Sequence, residues 1–279
     1  MHLRRSFEKR ALKLRSWLFD RDNLTLDEPT LAKKTLRQGV LSLADDRLRE
    51  FCDFYRLTPD EAMAIPSIRD KAALEACFTQ TGDDAGLMRN YRDARFFYTA
   101  RMQLAYSRFP VAAKLAQYFN GRFRPAVRSR LKVLDYGCGV GDYGLSLAVF
   151  GYRITLCDIE GGNLDFARWR FEQRGLTHDV IAVSEDNLYP DLGAQDIILA
   201  GEVLEHVRQP LTVLERCYES LPAGGLLWLS GYPEHAREVG GDHLPEAAEQ
   251  REACLGFLQQ AFGPATTLHL PGCLYEKRD

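Results

Sequence analysis

Residues 131–158 read LKVLDYGCGVGDYGLSLAVFGYRITLCD, and this stretch decides the fold. A short apolar run ends at Asp135 and breaks into three alternating glycines, after which apolar residues recur at helical spacing. A second apolar run, residues 154–157, ends in Asp158. This order of strand, glycine loop, helix, strand and acid predicts a βαβ unit.

The glycine loop and the acid after it indicate a nucleoside site. Gly137, Gly139 and Gly141 stand where a strand turns abruptly into a helix, so the backbone must take positive φ or let a ligand lie against it. Asp158 follows Gly137 by 158 − 137 = 21 positions, at the tip of the next strand. A carboxylate placed there accepts hydrogen bonds from adjacent ribose hydroxyls, so we expect a nucleoside in this loop.

Two kinds of nucleotide fit the loop. The spacing Gly139-x-Gly141-x-x-Gly144 matches the dinucleotide fingerprint, and a match of that kind has low specificity on its own. Asp135, however, puts a carboxylate inside the loop, where it would repel a pyrophosphate and pair with a cationic amino-acid group. This charge favours S-adenosylmethionine (SAM), whose ammonium and sulfonium groups are positive.

The stretch resembles the first motif of the class I SAM-dependent methyltransferases. Three later segments resemble further motifs of that family in the same order, namely residues 179–187 (DVIAVSEDN), 196–207 (DIILAGEVLEHV) and 221–230 (LPAGGLLWLS). The resemblance covers roughly residues 131–279, about half of the chain. Within that family, the sequence resembles the ubiquinone-biosynthesis-like methyltransferases of the E-x-x-E-H type.

The resemblance implies an α/β fold, a Rossmann-like seven-stranded methyltransferase sheet with a helical N-terminal cap. Strand and helix patterns alternate after residue 131, which predicts a parallel, doubly wound sheet. Two short strands joined by Pro271-Gly272 would supply the closing hairpin of that fold. We therefore expect a helical cap region over residues 1–125 and a SAM-binding domain over residues 126–279.

The charge distribution, the cysteines and the hydropathy of the sequence limit which classes of function and partner are expected. Residues 1–130 carry 25 Lys/Arg against 16 Asp/Glu, a balance of +9, whereas the remainder carries −12. The basic half fits either a phosphorylated or RNA substrate or the acidic half of the same chain. Seven cysteines stand singly, so neither a disulfide framework nor a zinc site is expected. No apolar run approaches the ~20 residues that span a bilayer, so we expect a cytoplasmic protein with no membrane partner.

Glu202-Val-Leu-Glu205-His206 carries the chemistry of the site. If a helical turn begins at Glu202, both carboxylates and the imidazole face one point, which suits Mg²⁺ or Mn²⁺. In the resembled family, E-x-x-E-H binds a metal in enzymes that methylate catechol hydroxyls and in enzymes that methylate the terminal 2′-hydroxyl of small RNAs. In the RNA group a downstream histidine completes the set, and here His243 stands at a comparable place, with His235 a weaker substitute.

A metal-free reading also fits, because many methyltransferases carry V-L-E-H-V here without an ion. In that reading His206 or His243 is the general base. The resemblance assigns cofactor contacts to Asp135, Gly137, Cys138, Gly139, Gly141, Asp158, Ile159, Glu185, Asp186, Gly201 and Glu202.

The sequence thus favours a SAM-dependent methyltransferase that methylates an oxygen of a small molecule. Three alternatives stay open: an RNA 2′-O-methyltransferase, transfer or cyclisation of the aminocarboxypropyl group of SAM, and a SAM-binding interaction protein without turnover. The acceptor and the oligomeric state are not determined by the sequence.

Overall fold

A computed structural model describes residues 46–65, 72, 83–93, 99–105, 109–232, 243–267 and 272–278. His235, the weaker substitute for His243, lies outside these ranges.

Seven strands form one sheet in the order β3-β2-β1-β4-β5-β7-β6. The strands are β1 (Lys132–Tyr136), β2 (Arg153–Ile159), β3 (His178–Val183), β4 (Ile197–Gly201), β5 (Leu226–Ser230), β6 (Thr266–Thr267) and β7 (Cys273–Glu276). Strand β1 pairs in parallel with both β2 and β4, whereas β7 runs antiparallel to β5 and β6. The predicted seven-stranded Rossmann-like sheet with its closing hairpin is therefore confirmed.

Helices connect the strands and precede them. They are α1 (Arg47–Tyr55), α2 (Pro59–Met63), α3 (Asp84–Asp93), α4 (Phe109–Arg122), α5 (Pro125–Arg128), α6 (Asp142–Ala148), α7 (Gly162–Glu172), α8 (Pro210–Ser220), α9 (Pro245–Glu249) and α10 (Arg251–Ala261). A π-helix spans Arg101–Ala105 and a 3₁₀ turn spans Leu204–His206. Two of these helices, α9 and α10, meet at Gln250.

The strands alternate their side chains between two apolar layers. Leu199 and Trp228 pack on one face with α4, α6 and α7, whereas Ile198 and Leu227 pack on the other face with α8 and α10. Successive residues of a strand point to opposite faces, so a sheet covered on both sides reads as a continuous apolar run. Helix α4 lies before the predicted domain boundary at residue 125, yet it packs in the first of these layers.

The described part of the N-terminal region has a small apolar cluster of its own. Phe51, Ala62 and Ala100 are buried there with three neighbours from α1, the end of α2 and the π-helix. Helix α2 begins with a capping box, because Thr58 and Glu61 cap the helix reciprocally through side chain and backbone.

Ion pairs join the basic N-terminal half to the acidic C-terminal half. Arg47 lies 3.1 Å from Asp142, Arg92 lies 3.3 Å from Glu185, and Arg122 lies 3.0 Å from Glu276. At least part of the charge asymmetry of the sequence is therefore used within the molecule.

Candidate functional site

The glycine loop between β1 and α6 has the backbone that the sequence predicts. Gly137, Gly139 and Gly141 have φ of 65°, 54° and 77°, in the left-handed region that favours glycine. Space is also restricted, because a Cβ on Gly137 would collide with Val203 and a Cβ on Gly139 would lie 2.5 Å from Cε of Met102. Only the smallest residue fits these two positions.

Asp158 at the end of β2 faces the same loop. The backbone N–H of Gly139 donates to its Oδ2 over 2.5 Å, and the N–H of Ile159 donates to its Oδ1 over 2.7 Å. The half-buried carboxylate thus ties the end of β2 to the glycine loop. A carboxylate can accept several hydrogen bonds at once, so the hydroxyl groups of a ligand could also donate to Asp158.

Asp135 lies elsewhere than the sequence suggests. Its carboxylate is fully buried, and Oδ2 accepts the backbone N–H of Gly144 over 2.7 Å. Asp135 is absent from the cavity wall described below. It therefore fixes the start of α6 from behind the loop, and its placement does not support direct pairing with a ligand.

An open cavity of about 860 Å³ lies at the carboxyl ends of β1, β2 and β4. In a doubly wound sheet this edge, beside the switch in strand order, is where ligands bind. Of the predicted site residues the wall includes Gly137, Gly139, Asp158, Ile159, Glu202 and His206.

Much of the wall comes from residues that sequence reasoning missed. These residues are mostly apolar or aromatic and include Leu87, Met88, Tyr91, Met102, Tyr136, Asn163, Leu188, Tyr189 and Val203. Five of them come from α3, from the π-helix or from α7, and no local motif marks them. Their role follows only from how these elements pack around the carboxyl edge of the sheet.

Five other predicted cofactor contacts lie outside that wall, and Gly141 is one of them. Glu185 and Asp186 are exposed in the turn after β3, and Glu185 pairs with Arg92. Cys138 is buried in the loop, and a Cβ on the buried Gly201 would lie 2.8 Å from Trp228. Val183, the last residue of β3, and Leu188 in the segment after it line the cavity instead.

Glu202 begins the second half of the site with a strained backbone. Its φ is +55°, which is uncommon for a residue with a side chain and which recurs at functional sites. Ser230 on β5 accepts the N–H of Glu202 at its carbonyl oxygen (2.9 Å) and donates its hydroxyl to Oε1 (3.1 Å). The expectation that a helical turn begins at Glu202 is therefore wrong, because the 3₁₀ turn begins two residues later.

Glu205, His206 and His243 nevertheless converge. One ligand atom from each lies within 4.8 Å of the others, and the two imidazole rings meet edge to face with centroids 5.0 Å apart. Nε2 of His206 lies 3.9 Å from Oε1 of the buried Glu205. His243 reaches the turn because the N–H of Leu244 donates to the carbonyl oxygen of Glu205 over 3.0 Å.

The Glu202 carboxylate and the Glu205 carboxylate both lie beside Gly231. A Cβ on Gly231 would collide with Oε1 of Glu205 and lie 3.0 Å from Oε2 of Glu202. Gly231, with φ of +82°, therefore leaves the space in which both carboxylates sit. The tertiary structure thus brings Glu205, His206 and His243 together without the helical face that the sequence suggested, and of the four predicted residues Glu202 and His206 line the cavity.

Cysteine chemistry does not enter the site. Burial raises the pKa of the Cys138 and Cys157 thiols well above the usual 9.0, and the nearby carboxylates of Asp135 and Asp158 raise it further. Both thiols stay protonated near neutral pH, and a protonated thiol is a poor nucleophile.

Comparison with known proteins supports the family. Residues 134–227 match the family model described as a methyltransferase domain. The ubiquinone biosynthesis O-methyltransferase of Cereibacter sphaeroides is 37% identical over 97 residues, which cover 35% of this chain and 39% of that protein. The protein of the same name from Methylocella silvestris is 34% identical over 107 residues, covering 38% and 42%. The chain thus spans about two fifths of the length of these curated relatives.

A solved structure agrees on the fold. An O-methyltransferase family protein from Burkholderia thailandensis superposes with a TM-score of 0.50 at 13% identity, over 86% of this chain and 72% of that one. Over residues 134–227 the chain is thus similar to the methyltransferase domain of class I SAM-dependent methyltransferases. The cofactor that this family implies is SAM, as the glycine loop and Asp158 predicted. Within the described residues, no helix is long and apolar enough to cross a membrane.

Proposed function

We propose that the protein is a SAM-dependent O-methyltransferase that acts on a small-molecule acceptor. The observation that carries the proposal is one continuous cavity, lined by Gly137 and Asp158 in one part and by Glu202 and His206 in another. A cofactor on the first pair would present its reactive end toward the second. The relatives named above are O-methyltransferases, which supports oxygen as the accepting atom.

The residues at the loop end fit SAM by their chemistry. Asp158 would accept hydrogen bonds from the ribose hydroxyl groups, and the glycines would let the methionine part of SAM lie against the backbone. We place the adenine against Val183 and Leu188, which line the cavity, rather than against the exposed Glu185 or Asp186. When bound, SAM supplies a methyl group on a sulfonium, which passes to the acceptor oxygen as the carbon–sulfur bond breaks.

His206 is the candidate general base for the acceptor hydroxyl. Its side chain is 12% exposed and lines the cavity, and the buried Glu205 carboxylate is 3.9 Å away. An imidazole that takes the hydroxyl proton becomes a cation, which the carboxylate stabilises in a site of low dielectric. His243 packs edge to face on His206 and holds the ring orientation.

The same residues also fit a divalent cation. Ligand atoms of Glu205, His206 and His243 lie within 4.8 Å of one another, and the Glu202 carboxylate lies beside Gly231 as the Glu205 carboxylate does. Two imidazoles with carboxylates suit Mn²⁺ better than Mg²⁺, which prefers an all-oxygen set. These residues would hold the ion, which would polarise the acceptor oxygen and lower the pKa of its hydroxyl.

The experiment that tests the proposal measures the nucleoside product. Purified protein is incubated with SAM and a small-molecule extract of its source cells, with EDTA or with Mn²⁺, and the products are identified by mass spectrometry. We expect S-adenosylhomocysteine and a methylated small molecule. Methylthioadenosine as the product, or a methyl group found only in RNA, would overturn the proposal.

Variants then assign the roles. His206→Gln is expected to lower the turnover at least a hundredfold by removing the base, a size typical of general base catalysis. His178→Gln is the matched control, since His178 starts β3 away from the cavity wall and should leave the rate unchanged. Mn²⁺ binding by calorimetry that disappears in His243→Gln would support the metal; turnover that is unaffected by EDTA would exclude it.

A further inference from the structure

Asn163 is a cavity residue to which neither the motifs nor the comparisons give a role. It is the second residue of α7, five positions after Asp158, and its side chain lines the cavity together with Asp158, Ile159 and Met102. Its neighbours in the wall include the carboxylate expected to bind ribose. In a mostly apolar pocket, a polar side chain of this kind fixes the orientation of the bound ligand.

The orientation of the Asn163 amide is set by the N-terminal region. The Thr99 hydroxyl donates to Oδ1 of Asn163 over 2.5 Å, and Thr99 is fully buried. The two residues are 64 positions apart in the chain, so packing alone creates this contact. With Oδ1 engaged by Thr99, the other end of the amide is Nδ2, which carries two N–H donors.

A donor at this place complements Asp158. An ionised carboxylate only accepts hydrogen bonds. Asp158 can therefore accept the O–H groups of the ribose, but it offers no donor to the ribose hydroxyl oxygens. Each ribose hydroxyl both donates and accepts, and a buried oxygen without a donor costs free energy. The Asn163 amide offers the missing N–H in the same cavity wall.

We propose that Asn163 is a cofactor-binding residue, whose Nδ2 donates a hydrogen bond to a ribose hydroxyl oxygen of SAM, and that Thr99 is the residue that positions it. The proposal rests on the proposed function in one respect, namely that the ligand of the loop is SAM. It would also link the N-terminal region to the nucleoside, because Thr99 lies two residues before the π-helix that places Met102 in the same wall.

The test measures the dissociation constant of S-adenosylhomocysteine by titration calorimetry, which does not depend on turnover. Asn163→Ala is expected to weaken binding about tenfold, the size of one hydrogen bond. Asn163→Asp should weaken it more, because it still accepts from Thr99 but loses the donor and adds a negative charge beside Asp158. Thr99→Val should weaken binding severalfold, and Thr99→Ser, which keeps the hydroxyl, should restore it.

A ligand change identifies the atom. The affinities of wild type and Asn163→Ala are compared for the 2′-deoxy and the 3′-deoxy analogues of S-adenosylhomocysteine. We expect one of the two analogues to bind both proteins with equal affinity, because that analogue lacks the hydroxyl oxygen that Asn163 contacts. An equal loss for both analogues would overturn the ribose contact. Thr212→Val, on α8 away from the cavity, is the matched threonine control and should bind normally.

The outcomes separate this inference from the proposed function. If wild type binds S-adenosylhomocysteine and Asn163→Ala binds it within twofold, Asn163 has no such role and the methyltransferase proposal stands. If wild type binds neither S-adenosylhomocysteine nor SAM, the proposed function fails and this inference fails with it. Circular dichroism on each variant shows whether a loss of binding reflects a loss of fold, and a folded Asn163→Asp that has lost binding supports the contact.

Discussion

Replacing Arg170 with methionine should destabilise the protein strongly and loosen the cofactor loop. Arg170 on α7 is fully buried, and its Nε donates to Glu50 of α1 over 2.9 Å. Its Nη1 donates to Asp142 over 2.9 Å and to the carbonyl oxygen of Val140 over 2.5 Å. One guanidinium thus connects the N-terminal region, the first residue of α6 and the glycine loop.

The magnitude follows from the burial of its partners. Glu50 and Asp142 are each 4% exposed, and after the substitution each keeps one arginine, Arg174 or Arg47. Removing one partner of a buried ionic group costs about 3–5 kcal/mol, because the remaining charges stay desolvated. For a chain of this size this corresponds to a fall in Tm of roughly 6–20 °C.

The assay is thermal and urea unfolding followed by circular dichroism, with Arg216→Met as the matched control. Arg216 forms a 3.1 Å ion pair with Glu219 on the surface of α8, where an exposed pair is worth at most about 1 kcal/mol. We expect Arg170→Met to lose several times more stability than Arg216→Met. Equal losses of stability in the two variants would refute the reasoning that burial makes the ion pairs of Arg170 stabilising.

Two further measurements sharpen the test. The double variant Glu50→Leu with Arg170→Met should be more stable than the sum of the single variants predicts, since removing both charges leaves no unpaired ion between them. SAM affinity of the folded Arg170→Met protein should also fall, because Val140 is part of the glycine loop that Arg170 holds. Unchanged affinity would mean that the loop keeps its shape without the buried arginine.

Three more outcomes are expected. Burial raises the pKa of Asp142, but Arg47 and Arg170 outweigh burial and hold that pKa below its usual 3.8. The ionised Asp142 therefore contributes fully to stability above pH 3.8, and this contribution is lost as the pH falls through the lower pKa of the folded state. Urea midpoints between pH 7 and pH 3 should show this loss in wild type and less of it in Asp142→Asn, and parallel curves would contradict it. Cys138 and Cys157 should resist iodoacetamide at pH 8 until the protein is unfolded, as peptide mapping would show, because their raised pKa keeps the thiols protonated; rapid labelling of the native protein would contradict this. Gly137→Ala should abolish SAM binding through a clash and a left-handed φ, whereas Gly151→Ala, with φ of +91° but nothing within 4 Å of the added carbon, should lose about 1 kcal/mol of stability and keep binding; equal SAM affinity in the two variants would count against the restricted loop.

Which predictions succeeded depends on how local they were. The glycine backbone angles and the position of Asp158 at a strand end were readable because they depend on neighbouring residues. The fate of Glu202 was not, because its left-handed backbone is held by Ser230, 28 positions away on β5. A helical face inferred from spacing alone could not include that contact.

The sequence by itself determined the order of strands and helices, the glycine loop and the family, because apolar periodicity and glycine spacing are properties of contiguous residues. The tertiary structure alone decided which side chains meet. It turned Asp135 away from the cavity, brought His243 onto His206 and placed Thr99 on Asn163. These contacts join residues that are distant in the chain, and they exist only once the sheet and its covering helices have packed, which no local pattern encodes.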